Sequence, residues 1–338
     1  VRYGLSTSNA RDYRDRKTFP AQSTVLDEEA VLERLVPQYA LPDVASCHFF
    51  SRGDADIYCL QTVGASFYLK IYRPPDSLEK AEAEGVLVNA LHAQGASVVP
   101  AVARQDGAYA TPVSASEGLR VALVFHEAPP NELNTADEET YVRLGEAVAR
   151  LHTAGDSVGL NHLAGAFDEP LLLPFAERLA YADDFAVLQR LHEQIQMALR
   201  AVDTEEDVGW CHRDLALCNI RRNGSGDVVF FDFGNARLTS RSIEMARLRS
   251  SLLQHDRSGD FPRQWSRLEQ AYAHVRRSPW LDHSEEHWRL LRALLWIQWI
   301  GGVMSSCPLR MGSETFNPDW VREQLSRLRE LLSASTAL

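Results

Sequence analysis

Residues 211–220 read CHRDLALCNI and residues 230–234 read FFDFG. No other stretches constrain the chain as tightly. An Asp stands five residues before an Asn, and a second Asp follows that Asn by thirteen, directly behind the apolar run VVFF and ahead of Gly234. Between them, RNGSGD (222–227) has the Asn, Gly and Asp of a tight turn. The spacing predicts a β-hairpin flanked by two turns that bring Asp214, Asn219 and Asp232 together. Any one of these residues alone is compatible with an ordinary turn; the combined set is not something a turn requires.

The combination fits one chemistry. Moving a phosphoryl group from a nucleoside triphosphate requires the triphosphate to be held, its oxygens bridged by metal ions, the accepting hydroxyl oriented and water kept out. Asp214 is placed to take the proton of an acceptor hydroxyl. The carboxamide oxygen of Asn219 and the carboxylate of Asp232 are hard donors suited to Mg2+. His212 reads as a residue that shapes the loop through backbone hydrogen bonds, and His152, in ARLHTAG, as a capping or core histidine. The chain contains no HExxH, GxSxG or GxxxxGK pattern that would point to another chemistry.

A length of 338 residues suits two domains, and 45% apolar with 24% charged residues is enough for a sizeable core. The net charge of −11 argues against nucleic-acid and anionic-membrane partners and leans towards a cationic substrate. Five widely spaced cysteines, an odd number with no CxxC pair, fit a reducing cytoplasm better than a disulfide framework or zinc site. The apolar run LLRALLWIQWIGGVM (290–304) includes Arg292 and falls short of the ~20 residues of a membrane span, so it reads as a core helix.

Periodicity divides the chain in two. After a polar tail over 1–19, residues 20–127 read as helix (27–41), three strands (45–52, 55–63, 66–73), helix (77–95) and two strands (101–113, 119–127). HEAPPNELN (126–134) is the expected linker. The remainder, 128–338, reads as helices over 136–154, 168–201, 241–255, 261–277, 284–305 and 317–335, with a strand-and-loop insert at 207–235. The expected class is α+β, with a small antiparallel-sheet lobe, a larger helical lobe and a cleft between them.

HRDLALCN with DFG resembles the protein-kinase-like superfamily. Within it the match is to the aminoglycoside phosphotransferase and choline-kinase branch, whose usual motif is H-G-D-x-x-x-x-N. TFPAQSTVLDEEAV, ahead of the first strand, is similar to the bacterial subgroup of stress-response and homoserine-kinase-type enzymes. The resemblance spans about residues 20–330 and implies a bilobal protein-kinase-like fold that uses ATP and Mg2+. It gives Lys70, mid-strand in FYLKIY, the role of holding the α- and β-phosphates. Only three lysines stand against 32 arginines, which makes this lysine the more conspicuous. Glu84 is its implied partner, with Glu82 as rival. Ser51, Arg52 and Gly53 would cover the phosphates, although Gly53 is the only glycine there. The hinge at Phe125, His126, Glu127 and Ala128 would pair with the adenine through its backbone.

Two residues depart from the branch: Arg213 replaces the usual Gly, and Glu244 stands where an Asp often braces the catalytic loop. Only NARLTSR (235–241) separates DFG from the next helix, leaving little room for a peptide platform. Trp296, Gln298, Trp299, Glu314 and Asp319 are candidate acceptor-lining residues. The expected activity is therefore phosphorylation of a small-molecule hydroxyl, of antibiotic or amino-alcohol type. The alternatives are a stress-response-type protein Ser/Thr kinase and a non-catalytic nucleotide-binding scaffold. The sequence does not discriminate ATP from GTP.

Overall fold

Asp27 caps the first helix, α1 (Glu28–Arg34), by accepting from the Ala30 amide at 2.9 Å. The computed structural model describes residues 24–53, 55–73, 77–167, 187–195, 197, 207–277, 284–310 and 318–333. The expected tail at 1–19, most of the helix expected at 168–201, and Glu314 lie outside these residues. The helix expected over 27–41 stops earlier, and a 3-10 turn follows at Val36–Gln38. Pro37 explains the break: it has no amide hydrogen, and its ring collides with the carbonyl four residues back in an α-helix.

A six-stranded sheet follows: β1 (Val44–Arg52), β2 (Ala55–Thr62), β3 (Ser66–Tyr72), β4 (Ala101–Val102), β5 (Thr111–Ala115) and β6 (Gly118–His126). Its order is β1-β2-β3-β6-β4, with β5 also on β6, and every pairing is antiparallel. The single strand expected over 101–113 is two strands. A turn between them is closed by the Arg104 amide bonding the Ala108 carbonyl at 2.7 Å.

Period-two alternation sorts the side chains of β3. Phe67, Leu69 and Ile71 are buried in a core with Val31, Leu35 and Tyr39. Tyr68, Lys70 and Tyr72 point to the opposite face. Helix α2 (Leu78–Ala93) starts at Ser77, whose hydroxyl accepts from the Lys80 amide. Its Leu87, Val88 and Leu91 are buried in the core of the helical region rather than in that of the sheet.

Beyond β6 come α3 (Glu138–Ser157), β7 (Val208–Cys211), β8 (Ile220–Arg222), β9 (Val228–Phe230), β10 (Arg237–Ser240), α4 (Arg241–His255), α5 (Phe261–Arg276), α6 (Glu285–Arg310) and α7 (Pro318–Ser333). β8 and β9 form the expected hairpin, and β10 pairs with β7. The Val99 amide donates to the Phe230 carbonyl and the Phe230 amide to the Ser97 carbonyl, both at 2.9 Å. These bonds tie β9, the strand leading to Asp232, to the segment that follows α2.

One buried ion cluster holds the sheet's outer end. The fully buried Asp56 carboxylate accepts from Arg52 (2.9 Å), Arg73 (2.8 Å) and Arg120 (2.6 Å). Burial works against its charge, but the three guanidinium bonds pull its pKa down to about 2. Removing this carboxylate would leave three arginines facing one another with only Glu117, 3.7 Å from Arg120, as counter-charge. Asp56→Ala should therefore lose about 3–5 kcal/mol of stability in denaturant unfolding. A loss below about 1 kcal/mol would show that the cluster does not hold the sheet.

Candidate active site

β7 leads directly into residues 212–216, and the backbone there is strained. Arg213 has φ of 68° and Asp232 has φ of 67°, in the left-handed region that costs side-chain-bearing residues free energy. Both conformations are held from several sides. His212 is fully buried against the Phe233 ring, at 4.4 Å between centroids. Its Nε2 donates to the Phe231 carbonyl at 2.8 Å, and its Nδ1 accepts from the Asp214 amide at 3.2 Å. One imidazole thus fixes both loops, and the two partners require the proton on Nε2. The Phe231 amide also donates to the Asn219 carbonyl at 3.2 Å.

Within this frame the Asn219 side chain donates from Nδ2 to the Asp214 carbonyl and to Asp214 Oδ2, each at 2.9 Å. With the amide nitrogen so committed, the carboxamide oxygen is turned away from Asp214. The other oxygen of Asp214, Oδ1, accepts from Arg247 Nε at 3.0 Å and Nη2 at 2.9 Å.

Opposite, Lys70 Nζ lies 2.5 Å from Asp232 Oδ1 and 3.5 Å from Glu84 Oε1. Glu84 is fully buried and also accepts from the Tyr72 hydroxyl. Glu82, the rival partner, instead accepts from the Tyr109 and Ala110 amides. The Lys70 charge holds the Asp232 carboxyl below the usual carboxylate range, against the opposing effect of burial. Burial would lower the Lys70 pKa, but the two carboxylates drive it well upward. Burial raises Glu84 above its ordinary value. Two carboxylates share one ammonium here, which leaves negative charge for a cation to meet. The Asn219 carboxamide oxygen and the Asp232 carboxylate are hard oxygen donors of the kind that suits Mg2+. A Cβ at Gly234 would lie 2.9 Å from Lys70 Nζ, so a side chain there would push against the ammonium.

The remaining expected site residues are placed less uniformly. Ser51 and Gly53 are exposed at the β1–β2 turn, and a Cβ at Gly53 would meet nothing within 4 Å. The guanidinium of Arg52 is engaged by Asp56 and the Thr24 carbonyl. Phe125 pairs in register with Tyr68, on the Lys70 face, and Glu127 and Ala128 follow directly after β6. Trp296 is half-buried against the helical core, whereas Trp299 is half-exposed and packs edge-on against Trp320 at 5.5 Å. The side chains of Gln298 and Asp319 lie outside the described residues.

The sequence reading singled out Glu244 on α4 but missed Arg247 and Ser251. Glu244, Arg247 and Ser251 stand at i, i+3 and i+7, on one helical face. All three reach the loop over 213–217. Glu244 Oε2 accepts from the Arg213 amide at 2.6 Å, Arg247 holds Asp214, and Ser251 Oγ accepts from the Leu217 amide at 3.1 Å. His152 lies inside α3 rather than at its end. It donates from Nε2 to Glu244 Oε1 at 3.0 Å and meets the Tyr272 hydroxyl through Nδ1 at 2.8 Å. A polar stripe at helical spacing just behind DFG was the available signal.

A model of the phosphotransferase enzyme family (APH) matches residues 47–295. An uncharacterized protein of Synechocystis sp., sll1119, is 24% identical over 241 residues; the alignment spans 68% of this chain and 66% of that one. Among solved structures, an amicoumacin kinase in complex with AMP-PNP and Ca2+ aligns with a TM-score of 0.71 at 17% identity, covering 92% of this chain and 94% of that one. A microcompartment-associated aminopropanol kinase aligns at TM-score 0.63 and 18% identity, covering 90% and 95%. The choline kinase LicA from Streptococcus pneumoniae aligns at TM-score 0.58 and 13% identity, covering 90% and 97%. No helix among the described residues is long and apolar enough to cross a membrane.

The His152–Glu244 brace has a definite acid dependence. Burial lowers the His152 pKa. Burial opposes the Glu244 charge, but the His152 and Arg213 contacts keep its pKa below the usual value. Protons bind the unfolded chain more readily at both groups, so the stabilisation is present at neutral pH. It is lost as pH falls, first below about 6.5 for His152 and then below about 4.5 for Glu244. Replacing His152 by Gln should flatten the stability profile between these values, where one proton contributes a slope of at most about 1.4 kcal/mol per pH unit. Parallel profiles for the variant and the parent chain across that window would rule out His152 as the titrating group.

Proposed function

The chain belongs to the phosphotransferase enzyme family, and from that premise we propose that it is an ATP- and Mg-dependent kinase acting on a hydroxyl of a small molecule. The carrying observation is the convergence of Asp214 and Asn219 with the Lys70–Glu84–Asp232 group across two backbone-linked turns. Lys70, steadied by Glu84, binds phosphate oxygens of the nucleotide. Those oxygens compete for the ammonium that Asp232 holds in the free chain, and their arrival releases that carboxylate. Asn219, through its carboxamide oxygen, and Asp232 would hold the Mg2+ that accompanies the triphosphate and spreads its charge. Asp214 takes the proton of the acceptor hydroxyl as its oxygen bonds to the γ-phosphorus and the bond to ADP breaks. Tyr68 and Phe125, a cross-strand pair on the Lys70 face, offer aromatic surface to the purine, and the backbone at Glu127 and Ala128 offers hydrogen bonds to its edge.

The short stretch behind DFG supports a small acceptor over a polypeptide. Arg237–Ser240 is paired to β7, and α4 begins at the next residue, so no free segment remains to seat a peptide. The neighbours extend from an amicoumacin kinase to aminopropanol and choline kinases. At 18% identity or less, that likeness carries the fold and not the acceptor.

Incubation with Mg-ATP and a small-molecule extract should add one phosphate to one species, seen by mass spectrometry. Asp214→Asn should lower kcat by about 10²–10⁴-fold, the usual contribution of a general base. Its Mg-ATP affinity should stay within about threefold, because Asp214 is not assigned to the nucleotide. Asp232→Asn should instead abolish the metal dependence of nucleotide binding. Full turnover by Asp214→Asn would remove the assignment.

A further inference from the structure

Tyr72 stands two residues after Lys70 on β3, and the alternation of the strand puts both side chains on one face. Its phenol is buried and serves two charged neighbours. The hydroxyl donates to Glu84 Oε2, and the Lys70 ammonium stands over the ring, with Nζ 4.6 Å from the centroid. The other oxygen of the same carboxylate, Glu84 Oε1, faces Nζ at 3.5 Å. Among the described residues Glu84 has no third hydrogen-bond partner. The carboxylate is thus pinned between a neutral donor and an ammonium, both supplied by one strand.

Tyr72 is itself held on several sides. Its ring belongs to a small apolar cluster with Ala81, Ala110, Val121 and Leu123. Its carbonyl accepts from Arg120 Nε at 3.3 Å, and the Ile71 carbonyl accepts from Arg120 Nη2 at 3.1 Å. Arg120 and Arg73, the residue after Tyr72, both end on Asp56. The buried ion cluster of the sheet therefore fixes the stretch of β3 that carries the phenol.

Lys70 needs such a frame, because its ammonium ends a flexible four-carbon stem. In the free chain the shorter of its two ion pairs is the one to Asp232, at 2.5 Å. When Asp232 turns to the metal that accompanies the triphosphate, that pair is broken and Glu84 is the carboxylate that remains. A buried carboxylate with one oxygen unpaired would turn or take a proton to recover a hydrogen bond. With Oε2 committed to Tyr72, Oε1 stays aimed at Nζ, and the ring closes a further side.

We propose that Tyr72 is a positioning residue for the nucleotide phosphates. Its hydroxyl fixes Glu84 and its ring flanks the ammonium, so Lys70 keeps its place once Asp232 is engaged elsewhere. Preorganisation of this kind raises affinity by removing the cost of ordering the ammonium when the ligand binds. It acts on phosphate-bearing ligands only, because Lys70 meets phosphates and not the base. This inference rests on the kinase reading above and adds a residue to its nucleotide site.

The test titrates Mg-AMP-PNP and, separately, adenosine into the full chain and reads binding by calorimetry, so no acceptor is needed. Tyr72→Phe, verified as folded by circular dichroism, removes only the hydroxyl. It should weaken Mg-AMP-PNP by about fivefold or more and leave adenosine within about twofold, a split that a general loosening of the fold would not produce. Tyr72→Leu removes the ring as well and should weaken Mg-AMP-PNP further. Para-aminophenylalanine at this position, whose N–H donates from the same place, should restore the affinity. On a Glu84→Gln background no carboxylate is left to position, so adding Tyr72→Phe should change Mg-AMP-PNP affinity by less than about twofold. That double variant removes donor and charge together, so it decides the question even where Tyr72→Phe alone does not fold. A further fall of about fivefold there would mean that Tyr72 acts other than through Glu84, and overturns the inference. An unmoved Mg-AMP-PNP affinity in Tyr72→Phe, or equal losses for Mg-AMP-PNP and adenosine, also overturns it and leaves the kinase reading intact. No binding of Mg-AMP-PNP by the parent chain overturns the kinase reading, and the inference falls with it.

Discussion

One ammonium sits between two carboxylates, and much of the site depends on it. Lys70 comes from β3, Glu84 from α2 and Asp232 from the turn behind β9, so their ion group joins three separate elements at one point. Its geometry is exacting. A Cβ at Gly234 would lie 2.9 Å from Nζ and push against it, and Tyr72 supplies a hydroxyl that satisfies the far oxygen of Glu84. Buried charge is costly unless every partner is present. This group satisfies its charges mutually and still leaves one carboxylate in excess, an arrangement open to phosphates on one side and a divalent cation on the other.

The second organising element is α4. Its polar stripe supports the loop that carries the left-handed Arg213: Glu244 takes the Arg213 amide, Arg247 takes Asp214 and Ser251 takes the Leu217 amide. Behind Glu244, His152 and Tyr272 extend the brace into α3 and α5. Left-handed backbone at a residue with a side chain persists only when its surroundings over-determine it. Here the over-determination comes from side chains on three helices, and the strained residue directly precedes the group proposed to take the proton.

Net charge and local charge answer different questions in this protein. The chain carries −11 overall, which by itself favours the approach of cations. Beside Asp214 the local charge is set by pairing instead, because the Arg247 guanidinium meets that carboxylate at 2.9 Å. A total sums the whole surface, while recognition is decided within a few ångströms, and distant carboxylates are screened by solvent and salt.

Much of the architecture was legible in the sequence because it rests on local rules. Alternation in FYLKIY placed Lys70 on the face opposite Leu69 and Ile71, and the 222–227 turn announced the hairpin that brings Asn219 and Asp232 together. Local rules also account for the misreadings: Pro37 cut the first helix short, and the turn closed by Arg104 and Ala108 split one expected strand into two. The residue types that could bind magnesium and accept a proton were fixed by motif spacing alone. Which groups meet them was decided only by tertiary packing. Arg52 lies within the expected phosphate loop, and its guanidinium meets a buried aspartate four residues on that is shared with Arg73 and Arg120, a pairing no spacing announced. Arg247 gave no sign of its contact with Asp214, 33 residues away, because no spacing rule links a loop to a helix that packs against it. Sequence sets the period of a helix or strand, but the partner of a side chain depends on where two elements cross, and that depends on the whole core.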